Sequence, residues 1–400
     1  MNFSALPFPS SDVTAPPDAL DWLRVQSELR RLSRHLGNGE SSAPARAVRS
    51  LAYRFGGAPI GLWQARAEPA DSGAHTRALA RVWAGRRFVG AEPLYAAFAA
   101  SADAMLAAPP SIATRRVDLH VAADRLPAVG VELRGILADV ADDVSVYLHG
   151  SRAAGDETPF SDVDDLVVVH ASAWQSWTRF RRAMSRLERA ARFMQSVDPL
   201  QHHGHWLYTD IDLACHDEAE MPLLVLDGAV LVIGRPSFTA RVRRDVTAVS
   251  AIGQAIAGEI RTGARLSASG SIRLDALKDL VGAVSLIPAL VRQASGEAMG
   301  KRDAIARAGE TFSDEAVTAV RWATAVRANW GTVPGYERVR RLCPLFRRLP
   351  WTRPTMEGIA RRLAPRVACD RLPRTPRALP RALARLADES AAALAAGRHG

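Results

Sequence analysis

Two carboxylates, Asp162 and Asp164, stand one residue apart at the head of the apolar run Val163 to Val169, and ten residues separate them from the pair Gly150-Ser151 at the end of another apolar run. Residues i and i+2 of a strand share a face, so the two carboxylates project together while Val163 turns away. Such neighbours repel unless a cation lies between them. Oxygen-only ligands of this kind suit Mg²⁺, which takes one or two carboxylates together with substrate phosphates. The Gly-Ser pair supplies the other half of that chemistry. Gly150 lets the backbone approach a ligand closely, and the amides around Ser151, with its hydroxyl, can cradle phosphate oxygens. Arg152, beside that loop, and Ser161, just ahead of Asp162, are grouped with it as nucleotide-binding candidates. A third carboxylate on the neighbouring strand would complete a two-metal site and orient or deprotonate an attacking hydroxyl. Asp210 and Asp212 are both available, and since they share a face, alternation does not choose between them.

The pattern Leu148-His149-Gly150-Ser151, then Ser161-Asp162-Val163-Asp164 and an apolar run, resembles the signature of the polymerase β-like nucleotidyltransferases. Its wording is most similar to the aminoglycoside adenylyltransferases and their minimal relatives. The resemblance implies a third carboxylate in an apolar-Asp-apolar strand, which Ile211-Asp212-Leu213 matches better than Thr209-Asp210-Ile211. It further implies that Asp162, Asp164 and Asp212 bind two Mg²⁺ ions, with Asp212 acting as or positioning the base. Gly150-Ser151 would hold the triphosphate of ATP, and AMP would pass to an acceptor hydroxyl with release of pyrophosphate. Leu226 to Gly234 resembles the family's passage into its helical domain. Ala289 to Ala308, with Lys301, is similar to a lysine-bearing passage within that domain. The likeness spans about Val129 to Glu310. Asp165 departs from it, standing where the family has an apolar residue, and is expected at a strand edge or in an ion pair.

The chain holds two lysines, Lys278 and Lys301, among 52 Lys and Arg. Both are expected to reach the triphosphate across an interdomain cleft; a surface pair with Asp275 is the competing reading for Lys278. His202, His203, His205, Cys215 and His216 bracket the third strand but match no zinc spacing, and are expected to be loop histidines or acceptor contacts.

The elements that must position these groups follow from hydropathy. Val129 to Val140 has helical spacing, Val144 to Leu148 and Val163 to Val169 are strands, and the stripe from Trp174 to Met194 marks an amphipathic helix ended by Asp198-Pro199. Trp206 to Ala214 is expected as a third strand carrying Asp210 and Asp212. Ser237 to Ile260 and Ile272 to Val291 are expected as helices, the latter bent or broken near Pro288. Leu20 to Leu36 has helical spacing, and helices are expected from Ala45 to Ala108; His75 and His120 stand alone. The fold class is α+β, a small mixed sheet flanked by helical regions: a helical extension over 1–125, a catalytic core over 126–236, a helical domain over 237–335 and an Arg-rich helical region over 336–400.

Bulk properties exclude several other functions. Cys215, Cys343 and Cys369 are too few and too scattered for a disulfide framework, which fits a reducing cytoplasm. No apolar stretch is long enough to span a bilayer, and the first residues lack a signal-peptide pattern. The net charge of +10 lies in the last stretch, where from Arg338 onward about fifteen arginines face four acids. That pattern suits a solvated helical surface and leaves RNA as a secondary choice of acceptor. A small-molecule hydroxyl such as an aminoglycoside is the leading acceptor. The alternatives are transfer to protein or RNA, or a regulatory protein that holds nucleotide without turnover.

Overall fold

The computed structural model describes residues 99, 102–103, 106–107 and 114–396, apart from 123–124, 202, 215, 220, 244–245, 350 and 352. The expected helix at Leu20 to Leu36, His75 and most of the stretch from Ala45 to Ala108 lie outside the described residues.

Four strands form the sheet that carries the site: β2 (Val144–His149), β3 (Asp164–Val169), β4 (Trp206–Thr209) and β6 (Val230–Ile233), in the order β4-β3-β2-β6. β3 runs antiparallel to β2 and parallel to β4. The parallel pair needs a crossover, which α3 (Trp177–Val197) provides. Alternation then sorts the side chains. Val146, Leu148, Val167 and Val169 pack against α1 (Ala128–Leu137) and α3 through Leu133, Leu137, Phe180 and Leu187. Tyr147, Leu166, Val168 and Tyr208 face the other way, onto Val117, Leu119, Ala240 and Val242.

Those last four residues belong to a second sheet, in which β1 (Arg115–His120) pairs antiparallel with β7 (Ser237–Arg243) and β7 pairs with β5 (His216–Asp217). Here the structure corrects two expectations. Ser237 to Arg243 is a strand, and the helix expected from Ser237 begins only at Val246, as α5 (Val246–Ala268). The segment alternates exposed Ser237, Thr239 and Arg241 with buried Ala240 and Val242, which is a strand's period of two. Likewise residues 115–120, placed in a helical extension by composition, are a strand that completes this sheet.

A third correction bears on the site. β4 ends at Thr209, and Asp210 to Ala214 form the short helix α4 rather than the continuation of a strand.

Behind the sheets lies a helical half. β8 (Ser271–Arg273) pairs with β9 (Arg366–Ala368), and α6 (Leu274–Ala294) packs on α5 and on α8 (Asp314–Ala328) through Leu277, Val281, Val284, Ile287, Trp322 and Val326. α6 continues through Pro288 without a break. α12 (Leu379–Ala396) closes this core with Leu383, Leu386 and Leu394. Its arginines are engaged: Arg381 pairs with Glu315 and Arg385 with Glu389. This last helix is therefore a wall of the helical core. Among the described residues, no helix is long and apolar enough to cross a membrane.

The two halves meet at the loop before β3. Phe160 stacks edge-on against Trp330 at 5.0 Å, and Tyr336 donates a hydrogen bond to the Pro159 carbonyl. The chain leading into the two aspartates is thus held by the helical half.

Candidate functional site

β2 delivers the first part of the site. Its last residue, His149, precedes Gly150, which begins the five-residue helix α2 (Gly150–Ala154). Gly150 has φ +73°, and a Cβ placed there would stand 2.9 Å from Asp164 Oδ2. Only glycine meets both constraints, so the turn and the carboxylate are packed against one another. The Ser151 hydroxyl donates to Ser161 Oγ at 2.8 Å, which also accepts from the Thr158 amide. Arg152 turns inward, donating to the carbonyls of Ser161 and Asp162 at 2.8 and 3.0 Å. It braces the loop that carries Asp162, and its guanidinium is committed to backbone. Ser161 is buried in the same brace.

β3 delivers the carboxylates. Asp164 pairs in register with His149 and shares its face. Asp162 and Asp164 keep 10% and 29% of their side-chain surfaces exposed, so a ligand can reach both. His203 bridges them: its Nε2 lies 3.0 Å from Asp164 Oδ1 and 3.8 Å from Asp162 Oδ2, and Nδ1 contacts the Gly204 carbonyl at 3.0 Å. Burial opposes charge on this ring, but the hydrogen bond and attraction to Asp164, helped by Asp162, push its pKa up to about 9. Burial likewise opposes ionisation of Asp164, and His203 outweighs it, holding the carboxyl well below the usual range. Both carboxylates thus meet at one ring, and such a pair is of the type that suits a hard metal ion with phosphate oxygens completing its shell.

The helical half supplies the remaining charge. Lys278, on α6, is 1% exposed, and its ammonium donates to Asp162 Oδ1 at 2.6 Å and to Asp198, the residue that ends α3. Desolvation works against that charge, and the two carboxylates overcome it and raise the lysine's pKa. Burial pushes Asp198 up to about 6 against the pull of Lys278. Lys278, expected at the triphosphate, is therefore spent on two protein carboxylates. Lys301, the first residue of α7 (Lys301–Ala306), is exposed and makes no hydrogen bond or ion pair with described residues. Crowding by protein and then repulsion from Arg327 lower its pKa, while Asp164 and Asp162 act in the other direction. Arg327 lies over the Phe160 ring at 5.1 Å, within electrostatic reach of Asp162, Asp164 and Asp156.

The structure does not bring Asp212 to Asp162 and Asp164. The parallel register sets Val169 beside Thr209 and Leu166 beside Trp206. Asp212 thus lies past the far end of β3, about 16 Å along the strand from Asp164 at roughly 3.3 Å per residue. Its carboxylate accepts from the Thr209 amide at 2.7 Å and hydroxyl at 2.8 Å, while the Asp212 amide donates back to that hydroxyl at 3.4 Å. This reciprocal exchange is a capping box at the start of α4. Asp210 is equally remote, bonded to His170 and the Ala171 amide. The segment just ahead of β4 holds His203, whose ring reaches both Asp162 and Asp164. The loop leading into the neighbouring strand therefore presents His203 to the pair, and Asp212 stays away from it.

Asp165, on the opposite face, is fully buried against His205 at 2.7 Å, and the other nitrogen of that ring bonds the Leu187 carbonyl. Burial disfavours the His205 cation, but Asp165 and that carbonyl raise its pKa. The histidines thus act singly: His203 and His205 each hold an aspartate, His216 bonds the Met221 carbonyl, and His202 and Cys215 lie outside the described residues. No group of three or more His, Cys, Asp or Glu converges as a metal site among the described residues. That geometry fits one ion on Asp162 and Asp164 and does not fit a pair sharing Asp212.

His203, Asp198 and Arg327 are the residues that sequence reasoning missed as site components. Their roles depend on contacts across the chain, and no local pattern marks them. For Asp212 a signal did exist: Thr209-x-x-Asp212 is the spacing of a helix start.

Residues 131–194 match the family model described as a nucleotidyltransferase domain. The match takes in the Gly-Ser turn and the paired aspartates, and it ends before Asp198, His203 and Asp212. No curated protein and no solved structure matches the chain.

Proposed function

We propose that residues 131–194, which match the nucleotidyltransferase domain model, are the core of a polymerase β-like enzyme that transfers a nucleoside monophosphate, AMP from ATP, to an acceptor hydroxyl and releases pyrophosphate. The observation that carries this reading is the cluster made by Gly150, Asp162 and Asp164, with Lys301 and Arg327 brought to it from the helical half.

Asp162 and Asp164 would hold one Mg²⁺. When bound, that ion neutralises phosphate charge and polarises the phosphorus under attack. The protein's own groups do the rest. Gly150 lets backbone approach the phosphates, and Lys301 and Arg327 offer positive charge for the pyrophosphate end, which leaves with the negative charge that develops. His203 keeps Asp164 ionised and ready. Catalysis of this kind is mainly positioning and charge neutralisation. His149 lies beside Asp164, and its Nε2 is buried with no hydrogen-bond partner among the described residues. Burial lowers its pKa against the pull of Asp164 and Asp165, so it offers a neutral imidazole next to the phosphate turn.

A small-molecule hydroxyl such as an aminoglycoside is the acceptor, a reading supported by the wording of the Gly-Ser and Asp-x-Asp segments. The free thiols of Cys343 and Cys369 agree with work in the cytoplasm. The test is transfer of label from α-labelled ATP, with Mg²⁺, to a panel of aminoglycosides, with RNA and protein as further acceptors. Label is expected on one of them, and the variant carrying Asp162→Ala and Asp164→Ala is expected to transfer none. Equal labelling by that variant overturns the assignment.

A further inference from the structure

Lys278 has no place in phosphate binding, yet a buried ammonium between two carboxylates at the edge of this cleft is costly to maintain without a purpose. Asp162, Asp164 and Asp198 place three negative charges together, and Lys278 touches two of them. It holds Asp162 Oδ1, while Asp162 Oδ2 lies 3.8 Å from His203 Nε2. The fixed ammonium offsets one of the three charges and His203, held by Asp164 and Asp162, offsets another, so the site has no surplus of negative charge for two divalent ions. The register that removes Asp212 removes the carboxylate a second ion would need. On its other side the Lys278 ammonium lies 5.4 Å from the Phe160 ring centroid, so solvent and mobile ions do not compete for its position.

We propose that Lys278 is a positioning residue that serves as a built-in cation in place of a second divalent ion, so that this site takes one exchangeable metal ion and has Asp162 preset to receive it. The inference rests on the metal-dependent transfer proposed above. It also explains why the lysine comes from α6: the helical half must be docked for Asp162 to be set, which couples assembly of the two halves to readiness of the site.

The test counts metal ions, so it needs no acceptor. Full-length protein is titrated with Mn²⁺, with and without a non-hydrolysable ATP analogue, and free Mn²⁺ is read by electron paramagnetic resonance. The wild type is expected to bind one Mn²⁺ per chain, and Lys278→Arg, which keeps the charge, also one. Lys278→Met is expected to bind two, because it frees Asp162 and Asp198 together. Lys278→Met combined with Asp198→Asn is expected to return to one, and it removes the buried repulsion that could unfold the single variant. A lysine that serves only as a strut predicts the same count in all four proteins, which overturns the proposal. Two ions in the wild type overturn it while leaving nucleotidyl transfer standing. Failure of the wild type to bind any Mn²⁺ overturns both readings.

Discussion

Two Asp-x-Asp pairs with the same spacing lie at the start of β3 and just past the end of β4, and the fold gives them opposite fates. Asp162 and Asp164, at the start of β3, keep part of their surface open and meet His203, Lys278 and the cations of the helical half. Asp210 and Asp212, beyond the end of β4, are consumed by their own surroundings, one by His170 and the Ala171 amide, the other by Thr209. A carboxylate that keeps part of its surface open can hold a ligand, whereas one that satisfies backbone amides is structural. The register of a parallel pair, fixed by which faces the strands bury, decides which is which.

The largest expected effect separates the pairs directly. Asp162→Asn or Asp164→Asn is expected to lower kcat/KM for nucleotidyl transfer by about 10² to 10³-fold, the scale of removing a main electrostatic contact at the reacting centre. Asp212→Asn is expected to leave it within about threefold, and a loss as deep as that of Asp164→Asn would erase the distinction. Next come the cations facing the first pair. Lys301→Ala and Arg327→Ala are each expected to raise KM for the nucleotide by about 10 to 10²-fold, since a charge-assisted contact contributes about 1.5–3 kcal/mol. Unchanged KM in both would remove the helical half from the donor site.

The second pair should register in stability instead. Asp212→Asn weakens the capping box and is expected to cost about 1 kcal/mol, read as a lower midpoint in urea. An unaffected midpoint would show that Asp212 is not spent as described. A last effect, seen only as a pH dependence, concerns the wall behind Asp165. Burial raises the Glu188 carboxyl to about 7, with Arg192 opposing it. An unfolded glutamate titrates near about 4.3. The folded state therefore binds this proton more tightly, so stability is full below about pH 4 and declines as pH rises toward 7. Glu188→Gln is expected to flatten that decline in denaturant midpoints measured across the range. An identical slope in the variant would assign the pH dependence elsewhere.

Much of the first pair was legible in the sequence because its chemistry is local. The Gly150 turn, the ten-residue loop and the strand Val163 to Val169 all lie within twenty residues, and each has its own signal. The failures share one cause, which is that alternation was judged without knowing the partner. Trp206 to Ala214 alternates well enough for a strand, but Thr209 and Asp212 satisfy each other and start a helix. Ser237 to Arg243 joins a sheet only because β1, more than a hundred residues earlier, runs beside it. Asp198, His203 and Arg327 reach the cleft through a helix end, a loop and a docked helix. Lys278 was singled out by its rarity, but its two carboxylate partners could not be read from the chain alone.

The most direct test is a crystal structure of the full chain with Mg²⁺ and a non-hydrolysable ATP analogue. The metal is expected on Asp162 and Asp164, with the triphosphate passing Gly150 toward Lys301 and Arg327 and with Asp212 still bonded to Thr209. A triphosphate bound elsewhere, or a metal on Asp210 and Asp212, would contradict this account.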